Sequence, residues 1–241
     1  MMSSNNVLSV IIPAYNEADT ISSMLSQVIC ADIGSWGKQI IIVDDGSTDN
    51  TEEKVAVFVS ENSKQDIIYL KHAKNQGKGA AIQTGLTKAK GSIVIIQDAD
   101  LEYNPGEYAL VLAPIIAGKA DVVYGSRFVG GKAHRTIYFW HSIGNRFLTF
   151  FCNLITNINL TDMETGYKAF RTDVILGIRL EEKGFGFEPE VTVKIARIPG
   201  IRVYEVGISY YGRTYAEGKK ISWQHGIEAL VCLLKYGILR R

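Results

Sequence analysis

Along the first half of the chain, short runs of Val, Ile and Leu alternate with amphipathic stretches. Val7 to Ile12, Gln39 to Val43, Ile67 to Leu70, Ser92 to Gln97 and Asp121 to Tyr124 have the length and content of buried strands. Helical patterns fill the gaps at about 17–30, 49–62, 79–90 and 106–117. Asp49 with Glu52 reads as a capping box, Glu53 adds charge to the same turn, and Pro105 with Glu107 reads as another helix start. Strand–helix alternation of this kind predicts an α/β fold with a mostly parallel sheet covered on both faces.

After about residue 126 the pattern changes. A Gly-rich basic segment, Gly130 to Arg135, precedes a long aromatic helix at about 138–155. A strand at Tyr167 to Phe170, a helix near 188–197, a strand at Arg202 to Val206 and a last helix at 222–239 follow. No repeat or linker divides the chain, so the expectation is one domain over 1–241. Within it, the residues from about 127 read as an elaboration over the sheet that those up to about 126 are expected to build.

Composition adds limits. The 26 basic and 25 acidic residues nearly cancel, which removes the electrostatic argument for nucleic acid. Cys30, Cys152 and Cys232 are odd in number and widely spaced, as suits reduced thiols in a cytoplasmic protein. The N-terminus lacks a basic n-region, so no signal peptide is expected, and no apolar run is long enough to span a bilayer.

The chemistry gathers where strands end. Ile93 to Ile96 runs into Asp98, Asp100 and Glu102 at alternate positions. Open α/β sheets bind ligands beyond the carboxyl ends of their strands, and clustered carboxylates there call for a hard cation. These three are the candidate ligands for Mg²⁺ or Mn²⁺. Pro13-Ala14-Tyr15-Asn16-Glu17 ends the first strand, with Glu17 either a helix-start charge or a nucleotide contact. Val43-Asp44-Asp45-Gly46-Ser47-Thr48-Asp49 ends the second, and its paired acids exceed what capping needs. Asp45 is the candidate to accept from a base or ribose, with Val43 beside it. Asn75 to Ala81 opens a helix whose Lys78 could meet phosphate, or whose glycines could simply permit close packing.

Taken together, Ser9 to Glu17, Ile42 to Thr51, Asn75 to Ala81, Gln97 to Pro105, Gly125-Ser126-Arg127, Asp162 to Arg171 and Gly212 to Lys220 resemble family-2 glycosyltransferases, specifically the polyprenyl-phosphate (dolichyl-phosphate) hexose synthases. The resemblance implies a GT-A fold, a nucleotide-sugar donor of UDP-glucose or GDP-mannose type, a divalent metal and inversion at the anomeric carbon. It places Pro13, Ala14, Tyr15, Glu17, Val43, Asp45 and Lys78 at the donor, with Asp98, Ala99 and Asp100 as donor and metal motif. Glu102 stands where the mannose synthases often have Gln. Arg127, Arg213 and Lys219 match basic positions used at the phosphates. Asp100, Arg127, Asp162, Arg213 and Lys219 are thus the expected catalytic set.

Many relatives carry transmembrane helices that this sequence does not show. The helices at 138–155 and 222–239 could replace them as interfacial surfaces, through Trp140, Ile143, Phe147, Phe151 and Leu154 and through Trp223, Ile227, Leu230 and Leu234. Core packing or dimerisation explains the same stripes. Two other functions stay open. A soluble glycosyltransferase extending a saccharide would need a base, for which Asp162 or Glu164 is the candidate, with Glu188 and Glu190 weaker. A nucleotide-sugar-binding module would need none.

Overall fold

The computed structural model describes residues 6–130, 135, 136, 138–213 and 223–239. The five apolar runs of the first half form β1 (Val7–Ala14), β2 (Gly37–Asp44), β3 (Asp66–Lys71), β4 (Ile93–Ile96) and β5 (Val122–Ser126). Between them lie α1 (Ile21–Cys30), α2 (Thr51–Glu61), α3 (Lys78–Leu86) and α4 (Tyr108–Ile116), the last led by a 3₁₀ turn at Pro105–Glu107. The second half supplies α5 (Phe139–Thr156), β6 (Lys168–Arg171), α6 (Thr172–Leu176), α7 (Phe187–Ala196), β7 (Val203–Gly207) and α8 (Trp223–Leu234), which runs on as a π turn to Leu239.

A single seven-stranded sheet in the order β3-β2-β1-β4-β6-β5-β7 joins the two halves. All pairings are parallel except those of β6, which runs antiparallel to β4 and β5. Side chains alternate across the sheet and divide the core. Leu8, Val10 and Ile12 point toward α1, α2 and α4, while Ile11, Ile41 and Val43 point toward α3, α5, α7 and α8. β1, β2 and β4 are parallel neighbours, so their acidic and aromatic exits open on one edge.

Some expected details change. α1 begins at Ile21 because residues 17–20 form a turn in which the Glu17 carbonyl accepts from the amides of Thr20 and Ile21. Asn50, not Asp49, is the N-cap of α2. Asp49 sits one residue earlier and accepts from the amides of Thr51 (3.0 Å) and Ala18 (3.1 Å), tying two loops together. The short helix α6 carries no pattern of its own length in the sequence. On α5 the outward residue is Phe150, with Phe151 half-buried. On α8 it is Val231, with Leu230 half-buried. The side chain of Trp223 lies outside the described residues, as does Lys219. Among the described residues no helix is long and apolar enough to cross a membrane.

Candidate active site

The exits of β1 and β2 are laced together. Asn16 takes a left-handed φ of 51° and donates its amide to Ser47 Oγ (3.0 Å), and its Oδ1 accepts from the Thr48 amide (2.8 Å). The Glu17 amide donates to Thr51 Oγ1 at 2.9 Å. Asp45 is buried and spends its carboxylate on protein donors: His72 Nδ1 at 2.6 Å and the amides of Gln76 (2.9 Å) and Gly77 (2.7 Å). It therefore fastens the loop before α3. Gly77 there has φ 101°, and a Cβ would strike the Lys183 carbonyl, so close packing is the observed role of that glycine. Ala14, Val43 and Ala99 turn their side chains into the core, leaving only their backbones to meet a ligand.

The acidic motif is held by cations of the chain itself. Lys78 Nζ lies 2.8 Å from Asp98 Oδ1 and 3.1 Å from Glu188 Oε1. Burial opposes the charge of Lys78, but Asp98 and Glu188 beside it hold its pKa well above the usual lysine value. Gly166 faces this pair, where a side chain would collide with Asp98 Oδ2. Leu101, at φ 64°, turns the chain sharply between Asp100 and Glu102. Arg213 Nη2 then reaches both Asp100 and Glu17 at 3.3 Å. Glu102 is mostly buried and accepts from Tyr210 Oη (2.7 Å) and the Arg213 amide (2.7 Å). Burial, with Asp98 and Glu102 close by, pushes the Asp100 carboxyl up to about 7. Lys78, Asp98, Asp100 and Arg213 each keep 17–20% of their side-chain surface exposed, so the cluster opens to solvent.

A second cluster lies at the end of β5. Asp162 is wholly buried and takes three hydrogen bonds from Arg127, from its amide (3.0 Å), Nε (2.7 Å) and Nη2 (2.7 Å). The Arg127 guanidinium also lies 5.3 Å from the centre of the Tyr210 ring. Asn145 of α5 reaches Asp162 Oδ1 at 3.5 Å, and the Met163 amide donates to Thr149 Oγ1 of the same helix at 3.2 Å. Tyr103 stacks on Tyr167 at 5.3 Å and accepts from the Gly166 amide. Glu164 Oε1 and Glu188 Oε2 are shut from solvent without a hydrogen-bond partner. Burial, then the nearby Glu188, pushes the Glu164 carboxyl up to about 8. Burial brings the Lys168 ammonium down to about 8.

The structure thus joins Glu17, Asp100, Glu102 and Arg213 in one network, Lys78 with Asp98 in a second, and Arg127 with Asp162 in a third. Among the described residues, no three acidic, His or Cys side chains are grouped closely enough to hold a metal ion as they stand. Glu188 is the residue the sequence undervalued. It sits in the first turn of α7, so a helix-start charge explained it locally, and nothing in the sequence signalled its pairing with Lys78. Tyr103 and Tyr210 were missed because aromatic side chains near a strand end are ordinary core material.

The model of the family described as Glycosyl transferase family 2 matches residues 9–178. The chain is 28% identical to the dolichol-phosphate mannosyltransferase of Pyrococcus furiosus over 221 residues, covering 89% of this chain but only 60% of that protein. It is 30% identical to the undecaprenyl-phosphate mannosyltransferase of Micrococcus luteus, covering 96% of this chain and 94% of that protein. A solved structure of glucosyl-3-phosphoglycerate synthase from Mycobacterium tuberculosis, in complex with Mn²⁺, UDP and phosphoglyceric acid, matches with a TM-score of 0.71. That match covers 96% of this chain and 78% of the other at 18% identity, a likeness of fold, and the fold is the GT-A type.

Proposed function

The chain belongs to glycosyl transferase family 2, and we propose that it moves a hexose from a nucleoside diphosphate sugar to a polyprenyl phosphate, with inversion. One observation carries the choice of acceptor. Asp162, one of the two leading sequence candidates for a base, is wholly buried and committed to Arg127. The acceptor side therefore presents an oriented guanidinium. A saccharide hydroxyl needs a base to take its proton, whereas a phosphate monoester has its second ionisation near ~6 and is already a nucleophile at neutral pH. The sugars and lipids in the names of the Pyrococcus and Micrococcus relatives support the same reading.

In this reading a phosphate oxygen of the acceptor attacks the anomeric carbon. The bond from that carbon to the donor's terminal phosphate oxygen breaks, and the nucleoside diphosphate leaves with the electron pair. Pro13, Tyr15 and Glu17 border the nucleotide, and Asp45 shapes its pocket by fixing the Gln76–Gly77 turn. Lys78 and Asp98 lie on the donor side, while Arg213 and Lys219 offset charge that grows on the leaving group. Arg127, aimed by Asp162, serves the phosphates.

The chemistry of the donor set suits Mg²⁺ or Mn²⁺, since Asp98, Asp100 and Glu102 offer hard oxygen ligands, and burial together with the two neighbouring acids raises Asp100. Asp98, Asp100 and Glu102 would hold the ion. When bound, such a cation neutralises the donor's diphosphate. The Mn²⁺ and UDP of the glucosyl-3-phosphoglycerate synthase structure favour a metal and a nucleotide here as well. The three free thiols, Cys30, Cys152 and Cys232, suit an enzyme working from the cytoplasm at the surface of a membrane.

The test is release of nucleoside diphosphate from UDP-glucose and GDP-mannose, with metal, with and without polyprenyl phosphate. Release that depends on the lipid is expected. Equal release with a free saccharide and none with the lipid would replace this acceptor by the saccharide one. Binding of donor without any turnover would leave a binding module.

A further inference from the structure

Tyr210 belongs to two networks at once. It follows β7, the edge strand, and crosses the sheet edge past β5 and β6 to reach the loop after β4. There its Oη donates to Glu102 Oε2 at 2.7 Å, and the Tyr211 amide donates to the Glu102 carbonyl at 3.0 Å. Over the same ring stands the Arg127 guanidinium, 5.3 Å from its centre. The acidic motif and the acceptor cluster therefore share one side chain. The ring is enclosed. It is 4% exposed, lies 5.5 Å from the Tyr103 ring, and is covered by Gly212, where a Cβ would stand 2.6 Å from its Cε1. A ring packed this closely cannot shift its hydroxyl end without shifting the face that meets Arg127.

Asp162 grips Arg127 through Nε and Nη2, and Phe128 adds a second ring at 5.8 Å from the same loop as Arg127 itself. Nη1 makes no hydrogen bond to a described residue, which leaves that corner of the guanidinium for an incoming anion. Two contacts from outside its own loop thus set the direction of Arg127: a buried carboxylate, and a ring whose position answers to Glu102. Resting on the lipid-acceptor reading above, we propose that Tyr210 is a positioning residue that couples the donor and acceptor sites. Its hydroxyl is held by Glu102 and its ring steadies Arg127, so filling the acidic motif aims Arg127 at the acceptor phosphate. Glu102 is one of the three acids that would hold the cation, and a ligand drawing on its carboxylate pulls on the Tyr210 hydroxyl. The donor with its metal then raises the affinity for a polyprenyl phosphate. By linkage, the phosphate raises the affinity for the donor to the same degree. Cation–ring contacts change a binding constant by about two- to thirtyfold, so a coupling of about tenfold is within reach of this one.

The test is the affinity of the full chain for a short, water-soluble polyprenyl phosphate. Calorimetry measures it with and without Mg²⁺ and UDP or GDP, whichever nucleotide binds. The parent should bind the phosphate about tenfold more tightly when metal and nucleotide are present. Tyr210→Phe keeps the ring and deletes the hydroxyl, so it should bind the phosphate alone as the parent does but lose the gain. Tyr210→Leu deletes the ring as well and should also weaken binding of the phosphate alone, by about threefold or more. A tyrosine that only packs would leave the gain intact in both folded variants, and that result overturns the proposal. So does a parent that shows no gain. A second measurement needs no acceptor and stands even if the variants fail to fold. The ¹⁵N–¹H signal of Arg127 Nε, identified by its loss in Arg127→Lys, should move in the parent when Mg²⁺ and nucleotide are added. A signal that stays still in the parent, or that moves equally in Tyr210→Phe, overturns the proposal. A parent that binds no polyprenyl phosphate under any condition would instead defeat the lipid-acceptor reading, and the Arg127 signal still judges the coupling.

Discussion

Glu102 and Arg213, 111 residues apart, are joined by a hydrogen bond from the Arg213 amide to Glu102 Oε1 at 2.7 Å. The acidic motif after β4 and the segment after β7 are therefore one unit, and Glu102 anchors it through Tyr210 as well. Glu102→Ala should loosen that segment and cost about 2 kcal/mol or more, because two donors lose a charged acceptor. Glu102→Gln keeps an oxygen for the Arg213 amide and should melt close to the parent. Thermal denaturation of the two variants decides it, and equal losses would count against the anchoring role.

Asp162→Asn should lower kcat about 100-fold with little change in donor KM, since Arg127 would be left poorly aimed. It should also cost about 3 kcal/mol of stability, the scale for breaking a buried ion pair on one side. A general base imprints its ionisation on the pH–rate profile, whereas an orienting residue does not. The variant's profile should keep the parent's shape at reduced height, and a lost limb would return Asp162 to the role of base.

Arg213→Ala and Lys219→Ala should reduce kcat far more than they raise donor KM. Their charge matters most once negative charge has developed on the departing diphosphate. Steady-state kinetics at saturating acceptor checks this. A change confined to KM would make them docking contacts.

Chelation should abolish transfer, and Mg²⁺ or Mn²⁺ should restore it. Asp100→Asn should be inactive yet melt at or above the parent temperature in chelator. It removes one of three crowded acids whose proximity, with burial, pushes the Asp100 carboxyl up to about 7. Full turnover in excess EDTA would end the metal assignment.

Glu164 links stability to pH. Its carboxyl stands at about 8 in the folded chain against an ordinary value of 4.5. Between those values the unfolded chain has released a proton that the folded chain retains. Stability therefore falls as pH rises from about 4.5 to about 8 and levels off beyond. Glu164→Gln removes the ionisation, so its melting advantage over the parent should grow through that window and be least at its acid end. An advantage independent of pH would show that Glu164 is not the group responsible.

Much of this was legible in the residues. The five strands of the first half are legible to within a few positions because buried parallel strands are unbroken apolar runs with punctuating turns, a local signal. Asp98, Asp100 and Glu102 stood out because acids seldom end such a run without purpose. The start of α1 is not legible, because the turn at residues 17–20 closes through backbone bonds to the Glu17 carbonyl, which no side-chain pattern reveals.

By itself, the sequence determined the α/β alternation and the edge of the sheet on which the acidic strand ends open. Each of these depends on neighbours within a turn or a strand. Only the tertiary structure decided that β6 enters the sheet antiparallel between β4 and β5, and that Lys78 neutralises Asp98 beside Glu188. It alone set the buried carboxylate of Asp162 against Arg127. Such pairings form between segments dozens of residues apart, and a charged side chain's partner is set by which loops the folded sheet brings together. A carboxylate looks the same in the sequence whether it will face solvent, a metal or an arginine.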